Sequence, residues 1–316
     1  MDAKELMTLI LPHIMERAAP VIGGQRLVHY TSADAAYRII SGKQIWLRTA
    51  HLMNDYSEMA HGLACLQSAW GSPAGETLRK WLNQHWNGLE EDLLSAFDQN
   101  IDSITHGTFL LSLSEHNDHE DRLGRLSMWR AYGAPTGVAL VLNPRAFVSA
   151  TDAMKVYSAP VIYRDIPSFV EWFEQWVQQL LRAHEPLKLV ARDQLLNALF
   201  YALRTFVLGT KHPGFQEEKE WRVFHNLALD GTSPWLSYEV EVIGGAPQHV
   251  VKLKLFDDLE ANVEGVDPAL LVDRVIIGPC ENPLPIRHAL AFALGGAGMQ
   301  DPLSRIWMSY IPLRQK

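Results

Sequence analysis

The chain has 316 residues, 47% of them hydrophobic, with 28 basic and 36 acidic side chains and a formal net charge of −8. A chain of this length can bury a large core, whereas a general binder of polyanions would carry an excess of basic residues. We therefore expect a globular protein, and we interpret residues 1–316 as a single elaborated domain.

The N-terminal sequence and the cysteines set further limits. The segment from Met1 to Glu5 lacks the pattern of a signal peptide, and no apolar run reaches the length of a membrane span. These features predict a cytoplasmic location without membrane contact. Cys65 and Cys280 have no metal-ligand spacing, which argues against a zinc ribbon, although two distant thiols can still approach each other in the fold.

The first predicted elements are a helix that is interrupted near Pro12 and a short strand over residues 27–32. This strand carries His29, Tyr30 and Thr31 toward its end. A histidine in this position can hydrogen-bond a ligand, but more often it satisfies a structural hydrogen bond.

A short helix is predicted directly after this strand, over residues 33–41. Ser32 has the side chain of a good N-cap, and Gly42 is placed to end the helix in the left-handed conformation. Farther along, Asn54 or Asp55 is predicted to cap the next helix, and Asp55 and Glu58 have the spacing of a capping box, which favours a structural role over ligand binding.

Two helical insertions are predicted, at about residues 55–105 and 167–209. Within the first, residues 73–76 are predicted as a loop and 77–103 as a second helical stretch, because apolar residues recur there at helical spacing. Within the second, Pro167 suits the first turn of a helix.

The middle of the chain predicts one wall of a pocket. Residues 108–114 are apolar and β-prone, residues 115–125 form a polar loop, and residues 126–132 form an aromatic turn. Residues 137–143 then have the length and the continuous apolar character of a buried strand.

Two features of this wall have more than one interpretation. Trp129 and Tyr132 can stack on a flat heterocycle, or they can fill the core. The stretch His116–Asp121 is rich in imidazole and carboxylate groups, but a flexible loop lacks the fixed geometry of a metal site. We therefore interpret it as a solvated acidic loop and expect no metal.

The last predicted strands are residues 236–242, 250–256 and 274–277, the first two joined by a Gly-Gly-Ala-Pro turn. Strands and helical blocks that segregate along the chain are typical of an α+β fold. We expect a central mixed or split antiparallel sheet with the two helical insertions packed around it.

The stretch from Lys211 to Phe224 is the most informative part of the sequence. If it is extended, Glu218, Glu220 and Arg222 share one face, while Trp221 and Val223 point to the core. The charged face is then expected to point away from the core, where it forms either a surface salt bridge or a reactive site.

The set of short motifs resembles the bacterial family called domain of unknown function 2971, and the resemblance runs from about Val28 to Arg314. The motifs that carry it are His29-Tyr30-Thr31, Asn54-Asp55 with Glu58, Ser112-Leu113-Ser114, Ser127-Met128-Trp129 with Tyr132, Glu218-x-Glu220-x-Arg222, Val275-Ile-Ile-Gly-Pro279 and Ser309-Tyr-Ile-Pro-Leu-Arg314.

The order of these motifs is similar to that of divergent ADP-ribosyltransferases. The resemblance implies an ADP-ribosyltransferase fold, NAD as a substrate, no metal, and Glu220 and Glu218 as catalytic residues. The residues implied to contact NAD are His29, Tyr30, Thr31, Ser112, Ser127, Trp129, Tyr132 and Arg222. The resemblance also implies that Phe215 lies in the loop that recognises the target.

Elementary chemistry assigns roles to these groups. Cleavage of the glycosidic bond of NAD develops a ribosyl cation, which the carboxylate of Glu220 would stabilise. Glu218 would accept the proton of the nucleophile, and Arg222 would keep Glu220 ionised or bind a phosphate. His29 would orient the adenosine-side ribose.

The leading functional hypothesis is NAD-dependent ADP-ribosyl transfer, and the resemblance suggests a bacterial toxin, effector or phage-defence component. The alternatives are an NAD glycohydrolase that uses water as acceptor and a non-catalytic nucleotide-binding or interaction module. The acceptor is left open as a protein, a nucleic acid or a small molecule, as is a neutralising partner protein.

Overall fold

A computed structural model describes residues 3–50, 57–133, 135–147 and 151–312. The strands are β1 (Leu27–Ser32), β2 (Gln44–Thr49), β3 (Thr108–Glu115), β4 (Gly137–Leu142), β5 (Tyr157–Pro160), β6 (Ile162–Tyr163), β7 (Thr210–Lys211), β8 (Glu220–Asn226), β9 (Leu236–Ile243), β10 (Ala246–Lys254), β11 (Val272–Ile277) and β12 (Ile306–Met308).

Helices account for much of the remaining chain. They are α1 (Ala3–Ile10), α2 (Pro12–Ile22), α3 (Ala33–Gly42), α4 (Ser57–Trp70), α5 (Pro73–His85), α6 (Leu89–His106), α7 (Leu126–Tyr132), α8 (Ile166–Arg182), α9 (His184–Leu187), α10 (Arg192–Gly209), α11 (Leu227–Asp230), α12 (Pro268–Leu271) and α13 (Pro283–Gly296).

Ten of the strands form one open, mixed sheet. Its order is β12-β11-β4-β1-β3-β2-β10-β9, while β8 pairs with β3 and β5 pairs with β8. The pairing of β11 with β12 is parallel, and the other pairings in this sheet are antiparallel. A second, parallel pair joins β6 to β7. The structure thus confirms the predicted α+β class and the mixed sheet.

Strand β3 has partners on both edges, and one edge serves two strands. β8 pairs with β3 along residues 108–114, so β1 and β2 must share the other edge. β1 meets the end of β3 at Ser114, and β2 meets its beginning at Leu110. The stretch Leu111–Leu113 between them has no partner strand on that edge among the described residues, which leaves room for side-chain contacts to its backbone.

Hydrophobic layers cover both faces of the sheet. On one face, α1, α4, α5, α6, α8 and α10 build a core with β3 and β8. On the other face, α2, α3 and α13 pack against the sheet. α8 shows how sequence produces this packing, because Asp165 caps its N-terminus and five apolar side chains at helical spacing are buried. Each such side chain stabilises the fold by about 1.5–3 kcal/mol when it is buried.

α4 and α10 approach each other closely. A Cβ atom on Gly62 of α4 would overlap the backbone carbonyl of Val207 in α10, so only glycine fits this contact. The position of α4 against the helical layer is therefore set by backbone contact.

Several predicted boundaries differ from the observed ones. The stretch 73–76 is the start of α5, because Ser72 accepts a hydrogen bond from the Gly75 N–H and Pro73 fits the first turn. The single stretch predicted over 77–103 is broken at Gly88, which has a φ of 68°. The left-handed residue after α3 is Lys43 rather than the predicted Gly42.

The predicted strand around Glu218 also begins later than expected. Residues Pro213–Glu218 form a 3-10 helix, and Lys219 has a φ of 46°, so β8 starts at Glu220. All seven residues of β8 are buried. The charged face of this strand therefore faces the interior rather than solvent, which corrects the sequence expectation.

In the described part of the chain, no helix combines the length and the apolar character needed to cross a bilayer. Cys65 is buried in α4 and Cys280 is partly exposed, and both thiols are free. The two cysteines therefore do not form a disulfide with each other.

Candidate active site

The candidate site is a buried set of charged side chains between β8 and the helical layer, which we call the charged cluster. Its members are Glu58, Lys211, Glu218, Glu220 and Arg222. Glu220 and Arg222 are only 4% and 2% exposed. They point to this side because Trp221 and Val223, which alternate with them along β8, are buried in the core on the opposite face.

Glu220 lies at the centre of the charged cluster. Its Oε1 accepts hydrogen bonds from Ser112 Oγ at 2.6 Å and from Arg222 Nε at 3.0 Å. Its Oε2 accepts from Lys211 Nζ and from Arg222 Nη2, each at 3.2 Å. Its backbone N–H donates to the Tyr163 hydroxyl at 2.6 Å. The carboxylate and the backbone of Glu220 are therefore both fixed in place.

The neighbouring cations keep Glu220 ionised. Burial raises the pKa of Glu220, but the Arg222 guanidinium and the Lys211 ammonium outweigh burial and lower that pKa to about 2. The carboxylates of Glu220 and Glu58 in turn raise the pKa of Lys211 and the pKa of Arg222, although burial alone would lower both. Glu220 is thus a permanent anion at neutral pH.

Glu58, in the first turn of α4, completes the charged cluster. Its carboxylate accepts from Lys211 Nζ at 2.6 Å and forms an ion pair with Arg222. Three carboxylates then face two cations, which leaves a formal charge of −1. The side chain that the sequence assigned to a capping box thus binds both cations of the charged cluster. The predicted partner, Asp55, and the alternative cap, Asn54, lie outside the described residues.

Glu218 has the opposite electrostatic behaviour from Glu220. Its carboxylate accepts from Lys211 Nζ at 2.7 Å, and its side chain is 20% exposed. Burial raises the pKa of Glu218, and the nearby Glu220 and Glu58 carboxylates raise it further against the opposing effect of Lys211. Within one cluster, the pKa of Glu220 is therefore lowered while the pKa of Glu218 is raised.

Two aromatic residues flank the accessible side of the charged cluster. The Tyr132 hydroxyl lies 3.5 Å from Glu218 Oε1, and the Phe215 ring lies 4.7 Å from Lys211 Nζ. Each is 37% exposed. Burial, together with the negative charge of Glu218, raises the pKa of Tyr132 to about 12, so this phenol stays protonated. The two rings form an aromatic rim beside an acidic group.

His29 contacts the site through a backbone atom. Its Nδ1 lies 3.1 Å from the carbonyl oxygen of Ser112, in the stretch of β3 that lacks a partner strand on this edge. Because a carbonyl only accepts, Nδ1 carries the proton. Burial lowers the pKa of His29, so the ring is neutral at neutral pH. Three residues predicted from separate parts of the sequence, His29, Ser112 and Glu220, are thus joined by two hydrogen bonds.

Tyr30 and Trp129 are packed inside the protein. Trp129 is 2% exposed, and its Nε1 donates to the carbonyl of Leu123 at 2.7 Å. The Tyr30 ring meets it edge-on at a centroid distance of 4.9 Å, and the Tyr30 hydroxyl accepts from the N–H of Arg125. Trp129 therefore offers no open ring face for stacking on a heterocycle.

Thr31 and Ser127 are partly buried. Thr31 pairs with Val138 in the ladder between β1 and β4. The Ser127 hydroxyl has no hydrogen-bond partner within the described ranges, although its oxygen is buried. The Ser127 hydroxyl therefore has unused hydrogen-bonding capacity.

Arg222 does not have a free guanidinium for a phosphate, because both Glu220 and Glu58 bind it. Arg48 on β2 is a different case. It is directly opposite Leu110 on β3, so it lies on the same face of the sheet as Ser112. Its guanidinium donates to the Gln248 side chain at 2.9 Å and forms no ion pair with a described carboxylate. Burial lowers the pKa of Arg48.

The loop His116–Asp121 is only in part the solvated acidic loop that the sequence predicted, because Asp118 and His119 are exposed while two other residues are buried. His116 is 1% exposed and Glu120 is 8% exposed. His116 Nε2 lies 2.8 Å from Asp121 Oδ1, and Glu120 binds Arg125. No group of three or more possible metal ligands occurs in the described residues. Packing and ion pairs, rather than hydration, hold this loop.

Arg125 connects this loop to the turn that carries Glu218. Its Nη1 donates to the carbonyls of Glu217 and Glu218, each at 3.1 Å. Its other guanidinium nitrogens donate to the Glu120 carboxylate and to the carbonyl of Glu115. All five donors of the guanidinium can thus be used, and the backbone of Glu218 is fixed relative to β3.

An apolar cavity of about 210 Å³ lies on the other side of the ladder between β3 and β8. Leu111 and Val223 line it, whereas their sequence neighbours Ser112 and Arg222 face the charged cluster. No member of the charged cluster lines this cavity.

Sequence reasoning missed two members of the charged cluster, Glu58 and Lys211. Glu58 was interpreted as part of a capping box. Lys211 lies in a two-residue strand before the Pro-Gly loop, which is too short to show an alternating pattern in the sequence. A buried arginine two residues after Glu220 in β8 is a local sign that more carboxylates must be nearby.

Residues 128–223 match the model of a family described as "Protein of unknown function (DUF2971)". Over this segment, the match supports the family that the sequence motifs predicted. The matched segment runs from α7 into β8, so it contains Tyr132, Lys211, Glu218, Glu220 and Arg222. Neither a curated protein nor a solved structure matches the chain.

Proposed function

We propose that this chain, whose residues 128–223 belong to the DUF2971 family, is an ADP-ribosyltransferase that uses NAD as its substrate. The observation that carries the proposal is the opposite pKa shift of two carboxylates, Glu218 and Glu220, in one charged cluster. Environments that separate the pKa values of two neighbouring carboxyl groups are typical of sites that assign them different catalytic roles.

In the proposed reaction, the bond between the nicotinamide nitrogen and the ribose C1′ breaks, and C1′ forms a bond to a nucleophile. Glu220 stabilises the positive charge that develops on the ribose, since its carboxylate stays ionised. Glu218 takes the proton that the nucleophile loses. Nicotinamide leaves with the electron pair of the broken bond, so atoms and charges balance.

Several groups around the charged cluster suit the parts of NAD. The ring of Tyr132, beside the carboxylate of Glu218, suits the cationic nicotinamide ring. The unused hydroxyl of Ser127 suits a polar substituent, and Arg48 suits a phosphate better than the fully paired Arg222 does. His29, whose Nδ1 is held by the Ser112 carbonyl, is proposed to orient the adenosine-side ribose.

The acceptor is a protein, a nucleic acid or a small molecule. The resemblance to divergent ADP-ribosyltransferases suggests a toxin, effector or phage-defence setting, with a partner protein that neutralises the activity. Phe215, exposed next to Lys211, is proposed to contact the acceptor.

One observation favours a second candidate, a nucleotide-binding module without turnover. Both carboxylate oxygens of Glu220 already accept hydrogen bonds from three side chains. To bind Glu220, a ribose hydroxyl must displace one of these three side chains or share a carboxylate oxygen with it. If displacement costs too much, NAD binds and is not cleaved.

Incubation with NAD labelled in the adenylate, together with bacterial lysate, separates the candidates. Label on a macromolecule or small molecule, with nicotinamide release, supports the transferase. Nicotinamide release without labelled product supports an NAD glycohydrolase. Binding by calorimetry without nicotinamide release supports the module, and the absence of binding contradicts every NAD-based candidate.

A further inference from the structure

Strand β9 lies at one end of the sheet, and its outer edge is open. Among the described residues it pairs with β10 alone, through eight consecutive residue pairs from Leu236 to Ile243. The outer edge therefore presents backbone N–H and C=O groups that have no partner strand. Such an edge is a ready template for an added strand.

The end of the β9–β10 hairpin projects beyond the sheet. β10 pairs with β2 only over residues 250–254, whereas its pairing with β9 begins at Ala246. Residues 246–249 and the facing residues 240–243 thus have no further strand beside them in the described structure. An incoming strand can reach this arm without displacing any described element.

The two faces of β9 differ sharply. Tyr238, Val240 and Val242 lie on one face and are 37%, 58% and 69% exposed. Glu239 and Glu241 lie on the other face, where both bind Lys252, which is only 7% exposed. Two carboxylates against one ammonium leave a local formal charge of −1. A buried lysine holds these carboxylates in position before any partner arrives.

Three of the usual protections of an edge strand are missing from β9. Proteins blunt such edges with proline, with bulges, or by keeping the strand short. β9 is eight residues long, contains no proline and has no register shift. Charged groups cover one face, yet the apolar side chains of Val240 and Val242 stay exposed on the other.

A second copy of the chain does not fit this edge well. In an antiparallel pairing of two β9 strands centred on Val240, Glu239 of each copy lies opposite Glu241 of the other. A pairing centred on Glu239 or on Glu241 places that glutamate opposite itself. Like charges directly opposite each other destabilise a strand pair, so a basic partner is favoured.

We propose that β9 binds a polypeptide segment that alternates apolar and basic residues and adds to the sheet as an antiparallel strand. Its apolar side chains would cover Val240 and Val242, and its lysines or arginines would pair with Glu239 and Glu241. The proposal is independent of the reaction at Glu220, because β9 contributes nothing to the charged cluster.

The test uses the full chain and a fluorescein-labelled peptide, Thr-Val-Lys-Val-Lys-Val-Lys-Thr, with fluorescence anisotropy as the readout. We expect saturable binding that weakens by at least about tenfold in the double variant Glu239→Lys/Glu241→Lys, because charge complementarity is reversed. Val240→Lys should weaken binding as well. Leu259→Lys, which changes an apolar residue that is 73% exposed elsewhere, is the matched control and should bind as the parent does.

Two further peptides keep the proposal open to refutation. A peptide with the same composition in scrambled order tests for nonspecific attraction to an acidic protein, and one with alternate backbone amides methylated tests for ladder hydrogen bonds. Both should bind at least about tenfold more weakly. Equal binding of all three peptides, unchanged binding by the double variant, or no binding at all would overturn the proposal.

Discussion

Ser112 donates a hydrogen bond of 2.6 Å to Glu220, and the carbonyl oxygen of the same serine lies 3.1 Å from the His29 ring. One residue of β3 therefore connects a group on β1 to the carboxylate on β8. The contact is possible because β1 and β2 share one edge of β3 and leave Ser112 without a partner strand there.

Glu220→Gln should abolish NAD turnover, with a loss of at least about 100-fold, because the amide keeps the size of the side chain and loses the charge that stabilises a ribosyl cation. Nicotinamide release measures this loss. The fold should be retained, since Arg222 and Lys211 still have Glu58 and Glu218 as partners, and a cooperative thermal transition would verify that. Activity near that of the parent would remove Glu220 from the catalytic role.

Activity should fall as the pH decreases through the pKa of Glu218, since this carboxylate must be unprotonated to accept a proton. The pKa of Glu218 is raised, so this loss of activity, the acidic limb of the pH profile, should lie above 4.5, the ordinary pKa of a glutamate. A pH profile of nicotinamide release in the presence of an acceptor shows the limb. Glu218→Gln should lower the rate by about 10²–10⁴-fold and remove the limb. Glu185→Gln, at an exposed carboxylate, is the control, and a limb that survives in Glu218→Gln belongs to another group.

His29→Ala should weaken NAD binding by about tenfold and change the rate of the bound complex less, because an orienting contact acts in the ground state and in the transition state alike. Calorimetry gives the affinity, and single-turnover kinetics give the rate. Unchanged affinity would exclude His29 from the site.

Phe215→Ala should reduce labelling of the acceptor while NAD hydrolysis persists, because water needs no aromatic anchor. The ratio of the two rates is the quantity to measure. Phe292→Ala, at a phenylalanine that is 80% exposed on α13, is the matched control. If labelling and hydrolysis drop together, Phe215 serves NAD binding rather than acceptor recognition.

Arg125→Lys should move the acidic limb to higher pH. A lysine cannot bind both carbonyls of the Glu217–Glu218 turn together with Glu120, so Glu218 loses part of its contact with Lys211. Because Lys211 lowers the pKa of Glu218, a weaker contact raises that pKa. Arg26→Lys is the matched control, because Arg26 binds Asp118, Asp121 and Asp273 without reaching the turn. A change in thermal stability with an unmoved limb would show that Arg125 is only structural.

Elements with local signals were predictable from the sequence. The strand over residues 27–32, the Ser32 cap of α3 and the helix that starts near Pro167 all match the structure, because caps and periodicity act within a few residues. The break at Gly88 was missed, since the apolar spacing continues through it.

The charged cluster was only partly predictable. Glu218, Glu220 and Arg222 are close in sequence, and their alternation suggested a shared face. Lys211 and Glu58 join them through the pairing of β7 and the packing of α4, which are contacts between distant parts of the chain. Burial of the charged face likewise depends on helices that the strand sequence does not specify.

The Gly62 contact has a consequence for attempts to isolate a smaller protein. It ties α4 to α10, and α4 carries the carboxylate of Glu58 to the sheet. A chain trimmed of residues 57–106 would leave the buried Arg222 with one carboxylate instead of two. The helical insertion is therefore an integral part of the reactive centre, and no minimal sheet domain can be cut from this chain with its electrostatics intact.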